Sequence, residues 1–222
     1  SGSEAIEAGL KFARYVTKKP GIIALKGGFH GRTLGATSVT TSKEKYYEPY
    51  RPLLPEVYIA ERSLEAIEKM DLSKIGCILT ELVTGEGGYY VQDKALIQGL
   101  RKICDQHGIV LFFDEVQTGF GRTGKMFACE HYGVTPDAMA LAKGIASGFP
   151  LGALLMNTEL SKKWSTSAHG GTFTGNPVAC AAGSATIKEL LKIMPKLPTR
   201  GLYLEKGLKK LAKKYPQHIK EL

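Results

Sequence analysis

The sequence predicts an α/β fold, on three observations. Short apolar runs of strand length recur at 21–26, 57–59, 75–80, 109–113, 138–142 and 151–156. Helical patterns lie between several of them, as at 4–16 and 93–107, and alternation of this kind is the mark of α/β architecture. Three chemically active side chains, Glu81, Asp114 and Lys143, directly follow such runs. Open α/β sheets collect ligands at the carboxyl ends of their strands.

Taken in order, Ser3 reads as the N-cap of a helix over 4–16, with Ala5, Ala8, Phe12, Ala13 and Val16 on one side. The strand over 21–26 runs into Gly27-Gly28-Phe29-His30-Gly31-Arg32-Thr33. Its glycines permit close approach to a flat ligand; equally, Phe29 can plug the core. Residues 33–41 suggest a short helix, and 46–55, rich in Pro and Tyr, an irregular loop. Ser63 caps a helix through Met70, and Asp93 caps one through His107 with Leu96, Leu100, Ile103 and Cys104 on one side. The strand 109–113 delivers Asp114. Thr135-Pro136-Asp137 turns the chain into the run that ends at Lys143, whose small neighbours Ala142 and Gly144 make it a candidate for a desolvated amine. Residues 160–165 read as helical and 169–176 as a glycine-rich loop. Pro177 opens a helix to Leu191, which Pro195 and Pro198 break before a last, basic helix.

The chain of 222 residues suffices for one substantial core or two small domains. Its 43% hydrophobic and 23% charged residues are ordinary for a globular protein. No apolar run approaches the roughly 20 residues that span a bilayer, and no signal peptide is visible. Cys77, Cys104, Cys129 and Cys180 form no C-x-x-C pair; buried reduced thiols and a cytoplasmic location are expected. Of the net charge of +9, +7 falls in 188–222, where ten Lys or Arg face three Glu. A solvated helix face explains that cluster; no motif or aromatic interleaving supports nucleic-acid binding.

The run Asp114-Glu115-Val116-Gln117-Thr118-Gly119-Phe120-Gly121-Arg122-Thr123-Gly124, with Thr135-Pro136-Asp137 and Ala142-Lys143-Gly144 in order behind it, resembles the core of the class III (ω-amino acid type) aminotransferases. These enzymes use pyridoxal 5′-phosphate, PLP. The resemblance extends from Ser1 to about Ala182. It implies the large domain of the fold type I PLP-dependent transferases, with a mostly parallel central sheet flanked by helices. That domain would cover 1–190, with an N-terminal segment missing, and 191–222 would lead toward an absent C-terminal small domain.

The resemblance also assigns roles. Lys143 is the amine that bonds the cofactor and then shuttles a proton, and Asp114 faces the pyridine nitrogen. Phe29 stacks on the ring, Val116 packs on its opposite face, and His30 lies near its edge. Gln117 bonds the phenolic oxygen. Gly2 and Ser3 hold the phosphate, joined by Thr172 from the neighbouring subunit of a homodimer. Glu81 lies near the cofactor and Glu86 on the substrate side. The usual Glu-Pro-Val/Ile-Gln-Gly-Glu pattern departs here at Leu82 and Thr84. Without the resemblance, Ser1-Gly2-Ser3 is a capped surface helix and Thr172 a simple loop hydroxyl.

The implied reaction moves an amino group from a 4-aminobutyrate-like ω-amino acid or amine to a 2-oxoacid such as 2-oxoglutarate. Alternatives are an acetylornithine or ornithine type aminotransferase, a related racemase, mutase or decarboxylase, or an inactive structural fragment of such an enzyme. Gly119-Phe120-Gly121-Arg122-Thr123-Gly124 also matches the G-x-G-x-x-G dinucleotide fingerprint. It stands too far past its strand and no amphipathic helix starts at Gly124, so a dehydrogenase is rejected.

Overall fold

A computed structural model describes residues 1–86, 88–219 and 222. Its centre is a six-stranded sheet: β1 (Gly21–Leu25), β2 (Val57–Ala60), β3 (Ile75–Glu81), β4 (Val110–Asp114), β5 (Ala138–Leu141) and β6 (Ala153–Met156). The spatial order is β2-β1-β3-β4-β5-β6. β1 to β5 run parallel, and β6 closes the edge antiparallel to β5. The mostly parallel sheet expected from the sequence is present.

The helices are α1 (Gly2–Thr17), α2 (Leu34–Ser38), α3 (Leu64–Glu68), α4 (Lys94–His107), α5 (Cys129–Tyr132), α6 (Thr158–Ser161), α7 (Pro177–Ile193) and α8 (Leu197–Lys214). Helices cover both faces of the sheet, which is why its inner strands are apolar without interruption. Alternate residues of β4 show the division. Val110 and Phe112 join the core under α1, with Ile6, Leu10, Phe12 and Ala13. Leu111 and Phe113 join the core under α4, with Ile97, Leu100 and Cys104. Burying a side chain of that size contributes roughly 1.5–3 kcal/mol. Among the described residues, no helix is long and apolar enough to cross a membrane.

Several expectations need correction. Ser1, not Ser3, caps α1; its hydroxyl accepts from Glu4 N, and Glu4 reaches back in a capping box. The loop at 46–55 holds 3-10 turns at Glu44–Tyr46 and Glu48–Tyr50. Helix α6 is a single turn, displaced to Thr158–Ser161 from the expected 160–165, because Asn157 caps it and the chain then turns away. Pro198 does not break a helix but sits in the first turn of α8, where its missing N–H costs nothing. Cys77, Cys104 and Cys129 are buried thiols, but Cys180 is exposed. Burial pushes the Cys104 thiol well above its ordinary value and Cys129 up to about 12, so neither is a ready nucleophile.

Candidate functional site

The carboxyl ends of β3, β4 and β5 and the N-terminus of α1 open into one cavity of about 580 Å3. Register places Glu81 of β3 beside Asp114 of β4. Two buried carboxylates at adjacent strand ends repel, and the molecule answers with His30. Its Nδ1 lies 2.7 Å from Asp114 Oδ2. Burial works against charge on His30, but the Asp114 hydrogen bond, the Asp114 charge and the Glu81 charge outweigh it and raise its pKa. Burial raises the Glu81 pKa, His30 opposes, and Asp114 adds to the rise. Glu81 Oε2 also accepts from Phe29 N at 3.0 Å, fixing the glycine-rich turn after β1. The second Asp114 oxygen accepts from Val116 N at 3.0 Å.

The resemblance implies His30 near the ring edge; in the structure His30 lines the cavity and is the buried partner of Asp114. Its Nε2 is buried without a hydrogen-bond partner among the described residues, and a Cβ on Gly28 would stand 2.7 Å from it.

Lys143 follows β5 and begins the 3-10 turn Lys143–Ala146 with a left-handed φ of 44°. Such a backbone is costly for a lysine and is held by its surroundings. The expected desolvated amine is not what is found: the Lys143 side chain is exposed, because it projects into the open cavity. Its Nζ donates to Gln117 Oε1. The turn that carries Val116 and Gln117 is anchored from behind by Glu115, which is fully buried. Glu115 accepts from Ala128 N at 2.7 Å, Cys129 N at 2.8 Å and Thr118 Oγ1 at 2.8 Å.

Gly2 and Ser3, in the first turn of α1, line the cavity. The first N–H groups of a helix have no intrahelical acceptor and face a positive dipole end, a natural anion site. A Cβ on Gly2 would stand 3.0 Å from Val116 Cγ1, so glycine lets the helix end approach that wall. Ser3 Oγ accepts from Arg32 N at 3.2 Å, which ties the helix end to the turn after β1.

The cavity thus gathers ten of the expected residues, Gly2, Ser3, Phe29, His30, Glu81, Glu86, Asp114, Val116, Gln117 and Lys143. Thr172 is exposed and outside it. Arg32 lines the cavity and is absent from the sequence-level candidates; its position two residues past His30, in the same glycine-flanked run, was the available signal. Glu86 accepts from Lys43 at 3.2 Å and Tyr46 at 3.1 Å. Its neighbour Gly87 lies outside the described residues. Thr84, where the pattern has glutamine, donates to Gly88 O at 2.6 Å and accepts from Tyr90 N at 3.2 Å, closing the loop that carries Glu86.

This donor set fits PLP: an amine, a held carboxylate, an anion cradle at a helix end, and the apolar surfaces of Phe29 and Val116 in one cavity.

The comparisons agree with that chemistry. The family model for aminotransferase class III matches residues 1–222. The acetylornithine aminotransferase of Methanocaldococcus jannaschii is 43% identical over 231 residues, covering 100% of this chain and 58% of the relative. That of Archaeoglobus fulgidus is 42% identical over 212 residues, covering 94% and 56%. Among solved structures, an (S)-enantioselective omega-transaminase from Thermomicrobium roseum superposes with a TM-score of 0.86 at 30% identity, covering 96% of this chain and 55% of that one. The ornithine aminotransferase from Toxoplasma gondii ME49 gives 0.81 at 28% identity, covering 86% and 48%. The chain spans about half the length of the curated relatives it matches. Matched along its whole length, it belongs to the class III aminotransferases, whose cofactor is pyridoxal 5′-phosphate.

Proposed function

We propose that this chain supplies the cofactor half of an acetylornithine or ornithine type aminotransferase, which passes an amino group to a 2-oxoacid such as 2-oxoglutarate. The observation that carries the reading is the joining of Lys143, Asp114 and the α1 N-terminus in one cavity that also holds a guanidinium, Arg32. The sequence leans toward 4-aminobutyrate. The relatives compared above, named acetylornithine aminotransferases, favour the other donor. Both donors carry a carboxylate, and Arg32 is the cation suited to it.

When bound, the cofactor supplies an electrophilic carbon and an electron-withdrawing ring. Asp114, with one oxygen on His30 and the other on Val116 N, is fixed in direction and keeps a ring nitrogen protonated. Gly2 and Ser3 hold the phosphate through backbone N–H groups. Phe29 and Val116 would offer apolar surfaces to a flat ring bound in the cavity. Gln117, which accepts from Lys143 Nζ, sets where that amine waits. Lys143 Nζ, once free, would be the base that takes and returns the proton at the substrate carbon bearing the transferred amine.

We assign a homodimer with shared sites and a cytoplasmic location to the whole protein. The exposure of Thr172 outside its own cavity supports the first, and the buried free thiols support the second. The division into a cofactor domain over 1–190 and a connection over 191–222 is supported by α8, which buries no residue.

The test is to incubate the chain with PLP, reduce with borohydride and map the modified peptide by mass spectrometry. A pyridoxyl group on Lys143, lost in Lys143→Ala, is expected. Labelling scattered over the tail lysines would overturn the assignment. In the whole protein, kcat/KM for N-acetylornithine should exceed that for 4-aminobutyrate, and the reverse order would restore the other donor.

A further inference from the structure

We propose that Tyr46 is a positioning residue that sets the selectivity of the cavity for carboxylate-bearing substrates, by keeping the Glu86 carboxylate off the Arg32 guanidinium. The inference rests on Arg32 as the substrate carboxylate site. Arg32 and Glu86 line the same cavity. Left to themselves, opposite charges in one cavity pair, and a paired Arg32 has to be freed before it can take a substrate anion.

Tyr46 ends the 3-10 turn Glu44–Tyr46 and touches three residues that line the cavity, Phe29, Arg32 and Glu86. It serves both charges. Its hydroxyl donates to Glu86 Oε2 at 3.1 Å, and Lys43 Nζ donates to the same oxygen at 3.2 Å. The Lys43 bond, then the Tyr46 bond, hold the Glu86 pKa below the ordinary carboxylate value, so Glu86 is an anion that needs these partners. The Tyr46 ring meets Phe29 edge-on at 5.3 Å. The Arg32 guanidinium lies 5.4 Å from the Tyr46 ring centroid and 5.5 Å from that of Phe29. Among the described residues Arg32 has no ion-pair partner, since aromatic faces seat it instead of a carboxylate. Tyr46 is therefore the one side chain that touches both charges, holding the anion together with Lys43 and seating the cation together with Phe29.

The experiment measures binding of glutarate to the full chain by calorimetry, with inorganic phosphate present to fill the α1 cradle. Tyr46→Phe keeps the ring and removes the hydroxyl that holds Glu86. Binding is expected to weaken about five-fold, the effect of one partly exposed hydrogen bond to a charge. Glu86→Gln should bind at least as well as the parent, and adding Tyr46→Phe to it should cause no further loss. An undiminished loss in the Glu86→Gln background would mean a merely structural tyrosine and overturn the proposal. So would a Tyr46→Phe chain that binds like the parent while Arg32→Met abolishes binding; that outcome leaves the reading of Arg32 standing. Glutarate binding insensitive to Arg32→Met would sink both.

Discussion

His30 is the side chain on which the polarity of the site turns. It is fully buried between two carboxylates, and its pKa is raised although burial opposes its charge. The folded state therefore holds a proton that the unfolded chain releases above the ordinary histidine value of about 6.5. The stabilisation is complete below that pH and is lost as pH rises through the raised folded value. Urea midpoints should fall between pH 6.5 and 8, below the range where the buried thiols contribute. His30→Gln should flatten that slope, and a variant with the parent slope would remove His30 as its source. Asp114 and Lys143 were legible because acid, glycines and lysine stand in family order along the chain. The His30–Asp114 bond joins residues 84 apart, and no local pattern announces it. The exposure of Lys143 was hidden for a related reason: small neighbours reveal crowding along the chain, not the open cavity in front of it.

At the scale of elements, α1 depends on a close approach that periodicity does not report. Gly9 faces Phe112 of β4, and a Cβ there would stand 2.1 Å from Phe112 Cζ and 2.3 Å from Cε1. Phe112 is fully buried, so the ring has no free space to yield into. Gly9→Ala gains helix propensity of up to about 1 kcal/mol, but overpacking of this kind costs about 1–3 kcal/mol or more. Net destabilisation is expected by urea titration, with weaker PLP labelling as the α1 N-terminus shifts; an unchanged midpoint would show that the helix slides at no cost. Helix α4 was readable at both ends, from Asp93 to Gly108, because its cap donors and its apolar stripe agree. The start of α1 was misplaced at Ser3, although Ser1 and Glu4 stand at capping-box spacing. The turns at 44–50 were not, because a single 3-10 turn has no periodicity to detect. That blind spot concealed Lys43 and Tyr46, and with them the partners of Glu86.

At the scale of the whole molecule, burial is uneven. The sheet and α1 to α5 contain nearly all the core, whereas α8 exposes Leu202, Tyr203, Leu204, Leu208 and Leu211. Leu204, Leu208 and Leu211 follow helical spacing, so they form a stripe. Single exposed leucines are common, but a stripe on a helix with no buried residue marks a surface that gains by being covered. The core of the sheet does not depend on it. Replacing Leu204, Leu208 and Leu211 together by glutamate should therefore leave the urea midpoint of the sheet within about 0.5 kcal/mol of the parent. The same variant should lower concentration-dependent association in sedimentation velocity, because the added charge both wets the stripe and repels its copies. A large loss of stability would mean that α8 packs into the core and that the division near residue 190 is wrong. Unchanged association would assign the contact between chains to another surface, with the exposed Phe173 and Val178 beside the glycine-rich loop as the next to be charged.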